Sequence, residues 1–235
     1  MKLLFLNIKM ILTQITTTPV DSVALEQGAE TIRVIDLLFK GGFVMVPLIV
    51  LSIIAVYIFT ERVLTIKKAS NTPGHFTDKI RQLVGQGDIS GARILCTQTD
   101  TPIARMIEKG ITRIGSPLKN IEVAIENVGK IEIFKLERRL STLATISGAA
   151  PMLGFLGTVI GMIRAFIAIA QEEGSVSPKL LSSGIYEAMV TTAMGLFVGI
   201  LAYLGYNYLV SQVSKVIHKM EYNSIDFIDL LQEPR

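Results

Sequence analysis

Residues 140–170 read LSTLATISGAAPMLGFLGTVIGMIRAFIAIA, and residues 180–214 read LLSSGIYEAMVTTAMGLFVGILAYLGYNYLVSQVS. Each stretch is long enough to cross a bilayer, which takes about 20 predominantly apolar residues. The link between them, 171–179, is short and carries Glu172 and Glu173. We therefore expect two membrane helices that fold back on each other.

The composition agrees with a membrane protein. Half of the 235 residues are hydrophobic, only 18% are charged, and the mean hydropathy is +0.50. An ordinary soluble domain is less apolar than this. The net charge of +3 is small, so nothing in the composition favours a nucleic-acid partner. Cys96 is the single cysteine, and we expect a small buried hydrophobic residue rather than a reactive thiol.

A third membrane helix is predicted over 41–60, which holds no charged residue and ends at Glu61 and Arg62. Pro47 lies inside it, and we expect a modest kink there. The N-terminal segment, 1–40, starts like a signal sequence, but Lys9 interrupts its apolar run. This interruption favours an uncleaved periplasmic or interfacial segment.

Residues 61–139 form the one large polar region, with 14 Lys and Arg against 9 Asp and Glu. Basic residues at membrane edges favour the cytoplasmic side, which places the N-terminus and the 171–179 link in the periplasm and the C-terminus in the cytoplasm. Apolar positions recur in steps of three and four from Leu118 to Leu143. This pattern predicts a helix that runs without interruption into the second span.

The third span, 180–214, would be about 50 Å long as a helix, which exceeds the roughly 30 Å hydrocarbon core. We expect it to extend into the cytoplasm and to continue as a C-terminal helix over 215–235. The predicted fold class is therefore an all-α integral membrane protein, with three transmembrane helices and long helices that extend into a helical cytoplasmic domain.

Small residues recur along one face of each helix of the hairpin. Such faces let helix backbones approach closely in lipid. Two faces of this length favour assembly with other subunits over packing within one hairpin alone. Pro151 removes one backbone hydrogen bond and is expected to bend the second span. The glycines of these faces are Gly154, Gly157, Gly161, Gly184, Gly195 and Gly199.

Glu187 is the only carboxylate within the three predicted spans, and a charge at that depth is costly. With the turn centred near Ser175, Arg164 and Glu187 fall at nearly the same membrane level and can form an ion pair, within or between subunits. An adjacent arginine would keep the carboxylate ionised and make it a poor proton carrier. Thr158 and Thr192 share a deeper level, where their hydroxyls either bond the backbone or face a channel.

Other kinds of site have no support in the sequence. His75 and His218 are isolated, without metal-ligand spacing, and no nucleophile, base and orienting acid come together. We therefore expect neither an enzyme nor a metal or other cofactor.

Two segments resemble the signatures of a known family. AAPMLGFLGTVIGM at 149–162 is similar to the second-span signature of the MotA/TolQ/ExbB proton channel family, and GIYEAMVTTAMGL at 184–196 to its third-span signature. The resemblance covers about 41–208. Three spans favour the ExbB and TolQ branch, since flagellar stator subunits of the family have four.

The resemblance implies an ExbB-like subunit of a proton-driven motor in the bacterial inner membrane. Relatives form pentamers around a dimer of single-span ExbD-like proteins and drive a TonB-like protein to energise outer-membrane import. By the motif match, Thr158 and Thr192 fall on channel-facing threonines and Glu187 on the third-span glutamate. Pro151 falls on the second-span proline.

The sequence departs from the family pattern at the outer part of the hairpin. Ser183 and Leu201 stand where prolines are frequent, and Arg164 stands where relatives have an uncharged polar residue. Two alternatives stay open: a TolQ-like subunit for envelope integrity, and a non-conducting scaffold in which the Arg164–Glu187 pair only sets assembly. A transporter is disfavoured because three spans contain no inverted repeat.

Overall fold

The computed structural model describes residues 42–71, 73–171 and 178–232, with side chains from Ser182 onward in the last range. Every regular element in these ranges is an α-helix. The N-terminal segment 1–40, residue 41 and the centre of the 171–179 link lie outside the described residues. The seven described helices are α1 (Met45–Ser70), α2 (Phe76–Gly85), α3 (Ile89–Thr99), α4 (Pro102–Ile111), α5 (Leu118–Glu137), α6 (Leu140–Gln171) and α7 (Pro178–Gln232).

Three parts of the described chain are long and apolar enough to cross a membrane. They are Met45–Ser70, the apolar part of Leu118–Gln171, and Ser182–Gln232. The predicted fold class is thereby confirmed. Helix α7 is continuous for 55 residues, or about 80 Å, so one helix serves both the membrane part and the polar region.

Helices α6 and α7 form an antiparallel hairpin, and α1 packs against both of them. The apolar face of α1 buries Leu48, Ala55 and Ile58. Gly205 of α7 faces the ring of Phe59, which would lie 3.0 Å from a methyl group on that glycine.

The polar region is a layer of short helices built around the end of α7. Asp88 accepts the N–H of Gly91 and caps α3, and Thr101 accepts the N–H of Ala104 and caps α4. Charged and polar side chains tie the layer to α7. Arg81 pairs with Asp226 at 2.7 Å, and the Thr77 hydroxyl lies 2.6 Å from Asn223 Oδ1.

The prediction of one unbroken helix from Leu118 into the second span is wrong. Helix α5 ends at Glu137, and α6 begins at Leu140 after a turn in which Arg139 adopts a left-handed φ of 68°. The periodic pattern does not reveal this break, because Leu136 and Leu140, the apolar positions on either side of it, keep the four-residue spacing of a continuous helix. The turn is held by contacts distant in sequence, since Glu61 pairs with Arg139 at 3.4 Å.

Pro47 does not lie where a proline would kink α1. It is the third residue of the helix, so its missing N–H would have no partner within the helix in any case. Proline is well tolerated in a first turn for this reason. The expectation of a kink fails because the sequence places the helix start too early, at residue 41.

Candidate functional site

The contact between α6 and α7 is a backbone contact in its central part. A methyl group on Gly195 would lie 2.6 Å from the Ala150 carbonyl oxygen and 2.7 Å from the Gly154 Cα. On Gly154, it would lie 3.1 Å from the Gly195 Cα. The separations at Gly195 are too short for an added carbon, so this position requires glycine, and those at Gly154 are tight enough that α7 would have to move by a few tenths of an ångström.

The remaining glycines of the two faces continue the same contact. Gly161 faces Ala188, and Gly184 faces Ala165; a methyl group added to either glycine would lie less than 3 Å from the Cβ of the facing alanine. Gly157 lies against the Thr191 side chain. The two small faces are therefore used against each other within one chain.

This packing changes what the small faces imply about assembly. The sequence favours their use in contacts with other subunits, but both faces are buried within the hairpin, because each of their glycines lies against a residue of the opposite helix. Any assembly of subunits must use other surfaces.

Pro151 lies inside α6, which continues through it. A methyl group on Gly199 would lie 2.7 Å from the Pro151 Cδ and 3.1 Å from the Ser147 carbonyl oxygen. The carbonyl that loses its helical partner to the proline thus faces a glycine across the hairpin.

The two predicted threonines bond differently. Thr158 is partly exposed and donates its hydroxyl to the Phe155 carbonyl within its own helix, at 2.6 Å. Thr192 donates across the hairpin to the Gly154 carbonyl, at 3.0 Å. Gly157 faces Thr191, so the antiparallel pairing brings Thr158 and Thr192 to neighbouring levels.

Thr191 is a site residue that sequence reasoning missed. It is 1% exposed and donates to the Ala188 carbonyl at 2.8 Å, while its side chain fills the space left by Gly157. The sequence places it in the row of small residues only. Thr191 is adjacent to Thr192 in the sequence, but their hydroxyls have different acceptors. Thr191 donates within α7, and Thr192 donates across the hairpin to α6.

Glu187 and Arg164 are brought together within one chain. Arg164 Nη1 lies 3.0 Å from Glu187 Oε1, and the side chains are 54% and 25% exposed for Arg164 and Glu187 respectively. The same carboxylate lies against the backbone of Gly42, in the turn that precedes α1. All three spans therefore meet at this level.

A second cluster of charges lies in the polar region, outside the apolar segments. Glu132 is 4% exposed and accepts from Arg105 and Lys135, each at 2.7 Å. Burial alone would raise the pKa of Glu132, but the two hydrogen bonds and the two positive charges outweigh it and lower the pKa. The helical pattern of the sequence does not predict this cluster, because Glu132 looks like any other charged residue of α5.

Arg62 is buried beside this cluster. Its guanidinium donates to Glu61 and to the Lys135 carbonyl, the latter at 3.1 Å. In the sequence it marks only the end of the first span. In contrast, Glu126 and Lys130 lie four residues apart on α5 and form an exposed surface pair at 2.7 Å.

Comparisons with known proteins agree with the hairpin signatures. The sequence model of the MotA/TolQ/ExbB proton channel family matches residues 98–222, which include most of the polar layer, α6 and the greater part of α7. The match thus contains both threonines, the Arg164–Glu187 pair and every glycine of the two small faces.

Several relatives carry names from this family. A putative biopolymer transport protein ExbB homolog of Methanothermobacter thermautotrophicus is 29% identical over 191 residues, covering 80% of this chain and 67% of the relative. An ExbB-like biopolymer transport protein of Synechocystis is 32% identical over 201 residues, covering 79% and 74%.

A Tol-Pal system protein TolQ from Haemophilus influenzae is 37% identical over a shorter stretch of 98 residues, which covers 42% of this chain and 41% of the relative. The two ExbB-named relatives therefore match over about twice the length of the TolQ match. On these findings the chain belongs to the MotA/TolQ/ExbB proton channel family and is an ExbB-like membrane subunit.

Proposed function

We propose that this chain lines a proton path in a motor of the bacterial inner membrane and that the proton motive force thereby energises outer-membrane import. The arrangement of Thr158 and Thr192 carries the proposal. Two hydroxyls lie at neighbouring levels on adjacent helices, within a family of proton channels. Hydroxyl groups both donate and accept hydrogen bonds, so they can support water or a titrating group of a partner.

The proposal requires an acid from another chain. Glu187 is paired with Arg164, so it suits a tuning or structural role better than proton carriage. We propose a homopentamer that surrounds a dimer of single-span ExbD-like proteins, with a TonB-like protein as the driven partner. A carboxylic acid on the ExbD-like span would then titrate beside the threonines.

The proposed orientation follows from charge. The polar region 61–139 carries the excess of basic residues and lies in the cytoplasm, together with the C-terminal part of α7, 215–235. Spans 41–60, 140–170 and 180–214 then place segment 1–40 and the link 171–179 in the periplasm.

Threonine-to-valine substitutions test the channel role, because valine keeps the shape and removes the hydroxyl. Thr158→Val and Thr192→Val are expected to reduce proton-driven import in a host that lacks its own ExbB, while crosslinking shows an intact oligomer. Thr145→Val is the matched control, since Thr145 also donates to a carbonyl of α6, that of Ser141 at 2.9 Å. Import that survives both test substitutions contradicts the channel role of the threonines.

Glu187→Gln separates the motor from a scaffold. If the pair serves assembly alone, the substitution weakens the oligomer and any loss of import follows the loss of oligomer. If Glu187 tunes the path, import falls while the oligomer persists. The outcome decides between the two roles of one residue.

A TolQ-like function is the second candidate, and the TolQ relative favours it. Leakage of periplasmic contents from a host that lacks TolQ measures whether this chain can maintain the envelope. Expression of this chain with its own partners is expected to restore import in the ExbB-deficient host and to leave leakage in the TolQ-deficient host. The reverse result would assign the chain to the envelope branch.

A further inference from the structure

The turn before α1 lies directly on the carboxylate of Glu187. Gly42 begins this turn, and its carbonyl accepts the N–H of Met45 at 3.2 Å, which starts α1. Its φ of 64° is in the left-handed region, where residues with a Cβ are strained. Gly42 therefore suits the turn for a conformational reason, before any neighbour is considered.

The neighbours add a second, independent reason. A methyl group on Gly42 would overlap Glu187 Oε1 and would lie 2.8 Å from Glu187 Cδ. It would also lie 3.5 Å from Arg164 Nη1. The carboxylate is thus held between a guanidinium on one side and bare backbone on the other.

The start of α1 also provides a favourable environment for a negative charge. The N-terminal end of a helix carries a partial positive charge, although the first two N–H groups of α1, those of Met45 and Val46, already donate to the carbonyls of Gly42 and Phe43. Val44 is the N-cap of α1 and makes no side-chain capping bond. Glu187, reaching from α7, places its carboxylate against Gly42, three residues before the first residue of α1.

We propose that Gly42, Arg164 and Glu187 form a three-span lock, in which the carboxylate of α7 joins α6 through Arg164 and α1 through the turn at Gly42. Gly42 is a positioning residue for Glu187, because a Cβ at position 42 would occupy the place of the carboxylate and would force the end of the Glu187 side chain to shift relative to Arg164. The lock also explains how a carboxylate is tolerated within an apolar helix: the Arg164 cation replaces part of its hydration.

The packing part of this inference is independent of proton conduction. Its consequence for transport, that Gly42 controls the position of a channel residue, rests on the proposed function. The two parts therefore need separate measurements.

Glycine-to-alanine substitutions test the packing part, and the chain provides two matched controls. Gly87 has a φ of 79° with no atom near an added methyl group, so Gly87→Ala experiences backbone strain alone. Gly148 lies in α6 and also faces open space, so Gly148→Ala reports the effect of a methyl group on a membrane helix. Gly42→Ala is expected to lower the apparent melting temperature of the purified complex by several degrees more than Gly87→Ala does. Equal shifts would overturn the lock.

The same comparison in a Glu187→Ala background tests whether the carboxylate causes the loss of stability in Gly42→Ala. Glu187→Ala removes the carboxylate that an added methyl group would meet. In this background, Gly42→Ala is therefore expected to lower the apparent melting temperature no more than Gly87→Ala does. If Gly42→Ala alone fails to accumulate, the combined variant is expected to restore accumulation. A Gly42→Ala defect that persists unchanged in the combined variant contradicts the lock.

Proton-driven import is measured on the same variants. Normal import by Gly42→Ala, alongside the expected loss of thermal stability, would retain the lock and refute its link to transport. Reduced import without a stability difference from Gly87→Ala would refute the lock and leave the proposed channel role of Glu187 standing.

Discussion

Between α6 and α7 the closest contacts are made by backbone atoms and small side chains, whereas the helices of the polar region meet through larger apolar side chains. Gly195 and Gly154 bring two helix backbones together in the hairpin. In the polar region, Gly110 instead faces the ring of Phe227 and the side chain of Ile125. The difference follows from the solvent, because lipid provides no hydrophobic driving force between helices and close packing must replace it.

The two regions also treat charge differently. In the polar region, Glu132 is nearly fully buried and is satisfied by two cations. In the membrane part, the described pair Arg164–Glu187 keeps a quarter or more of each side chain exposed on the isolated chain. A buried charge is tolerated where several partners surround it, whereas the Arg164–Glu187 pair has one ion-pair contact and lies against the backbone of Gly42.

The largest effect is expected from removing the buried acid of the polar region. Glu132→Ala leaves Arg105 and Lys135 without their shared partner, and losing hydrogen bonds between charged groups costs about 1.5–3 kcal/mol when the remaining cations are partly exposed. The free energy of unfolding of the polar region, measured by denaturant titration in detergent, should fall by that amount. Glu126→Ala removes an exposed partner of Lys130 and should cost less than about 1 kcal/mol. Equal losses would mean that burial does not distinguish the two acids.

An intermediate effect is expected from one methyl group in the hairpin. Gly195→Ala forces a carbon against the backbone of α6, and overpacking of this kind costs about 1–3 kcal/mol. Gly148→Ala, on the open side of α6, is expected to be neutral or slightly stabilising, because alanine favours helices. Thermal aggregation of the purified protein measures both. A harmless Gly195→Ala would show that the hairpin is less tightly packed than its backbone contacts imply.

The smallest effect on stability is expected at Cys96, where the reactivity of the thiol is the more sensitive measurement. Burial, and secondarily the nearby charge of Glu108, raise the pKa of the thiol to about 12. Alkylation at pH 8 should therefore be at least about 100-fold slower in the folded protein than in the unfolded chain, where free cysteine has a pKa near 8.5. Mass spectrometry of iodoacetamide-treated protein measures the rate. An exposed thiol introduced by Ser90→Cys in a Cys96→Ala background provides the fast-reacting control.

The sign of the pH effect follows from the same shift. Because the folded pKa is raised, the folded state keeps its proton where the unfolded chain begins to lose it. The contribution of Cys96 to stability is full below about pH 8.5 and declines as the pH rises toward 12. Stability of the polar region should therefore fall in alkali, and Cys96→Ala should reduce that dependence. An unchanged alkaline profile in the variant would assign the effect to other groups.

Much of the fold could be predicted because its signals are local. Apolar length identifies the membrane helices, and the caps at Asp88 and Thr101 involve residues three positions apart. The break at Arg139 could not be predicted because the turn is in contact with a distant element, α1, where Glu61 pairs with Arg139. A periodic pattern records which face is apolar, and it contains no information about a contact nearly 80 residues away.

The candidate site divides in the same way. Counting residues from the turn places Arg164 and Glu187 at one level, since both lie on regular helices with a fixed rise. Thr191, Glu132 and Arg62 could not be singled out, because their importance comes from burial against other helices and similar residues occur on ordinary surfaces. The two sequence signatures of the hairpin identify the family, but they do not show which hydrogen-bond acceptor each threonine hydroxyl uses.

The sequence by itself determined three membrane helices, a polar region rich in basic residues and the identity of the family. These properties depend on composition, on helical rise and on motifs of neighbouring residues. Only the tertiary structure decided that the two small faces pack against each other and that Glu187 lies between Arg164 and Gly42. Both results depend on the separation of backbones from different helices, and only the assembled chain fixes that separation.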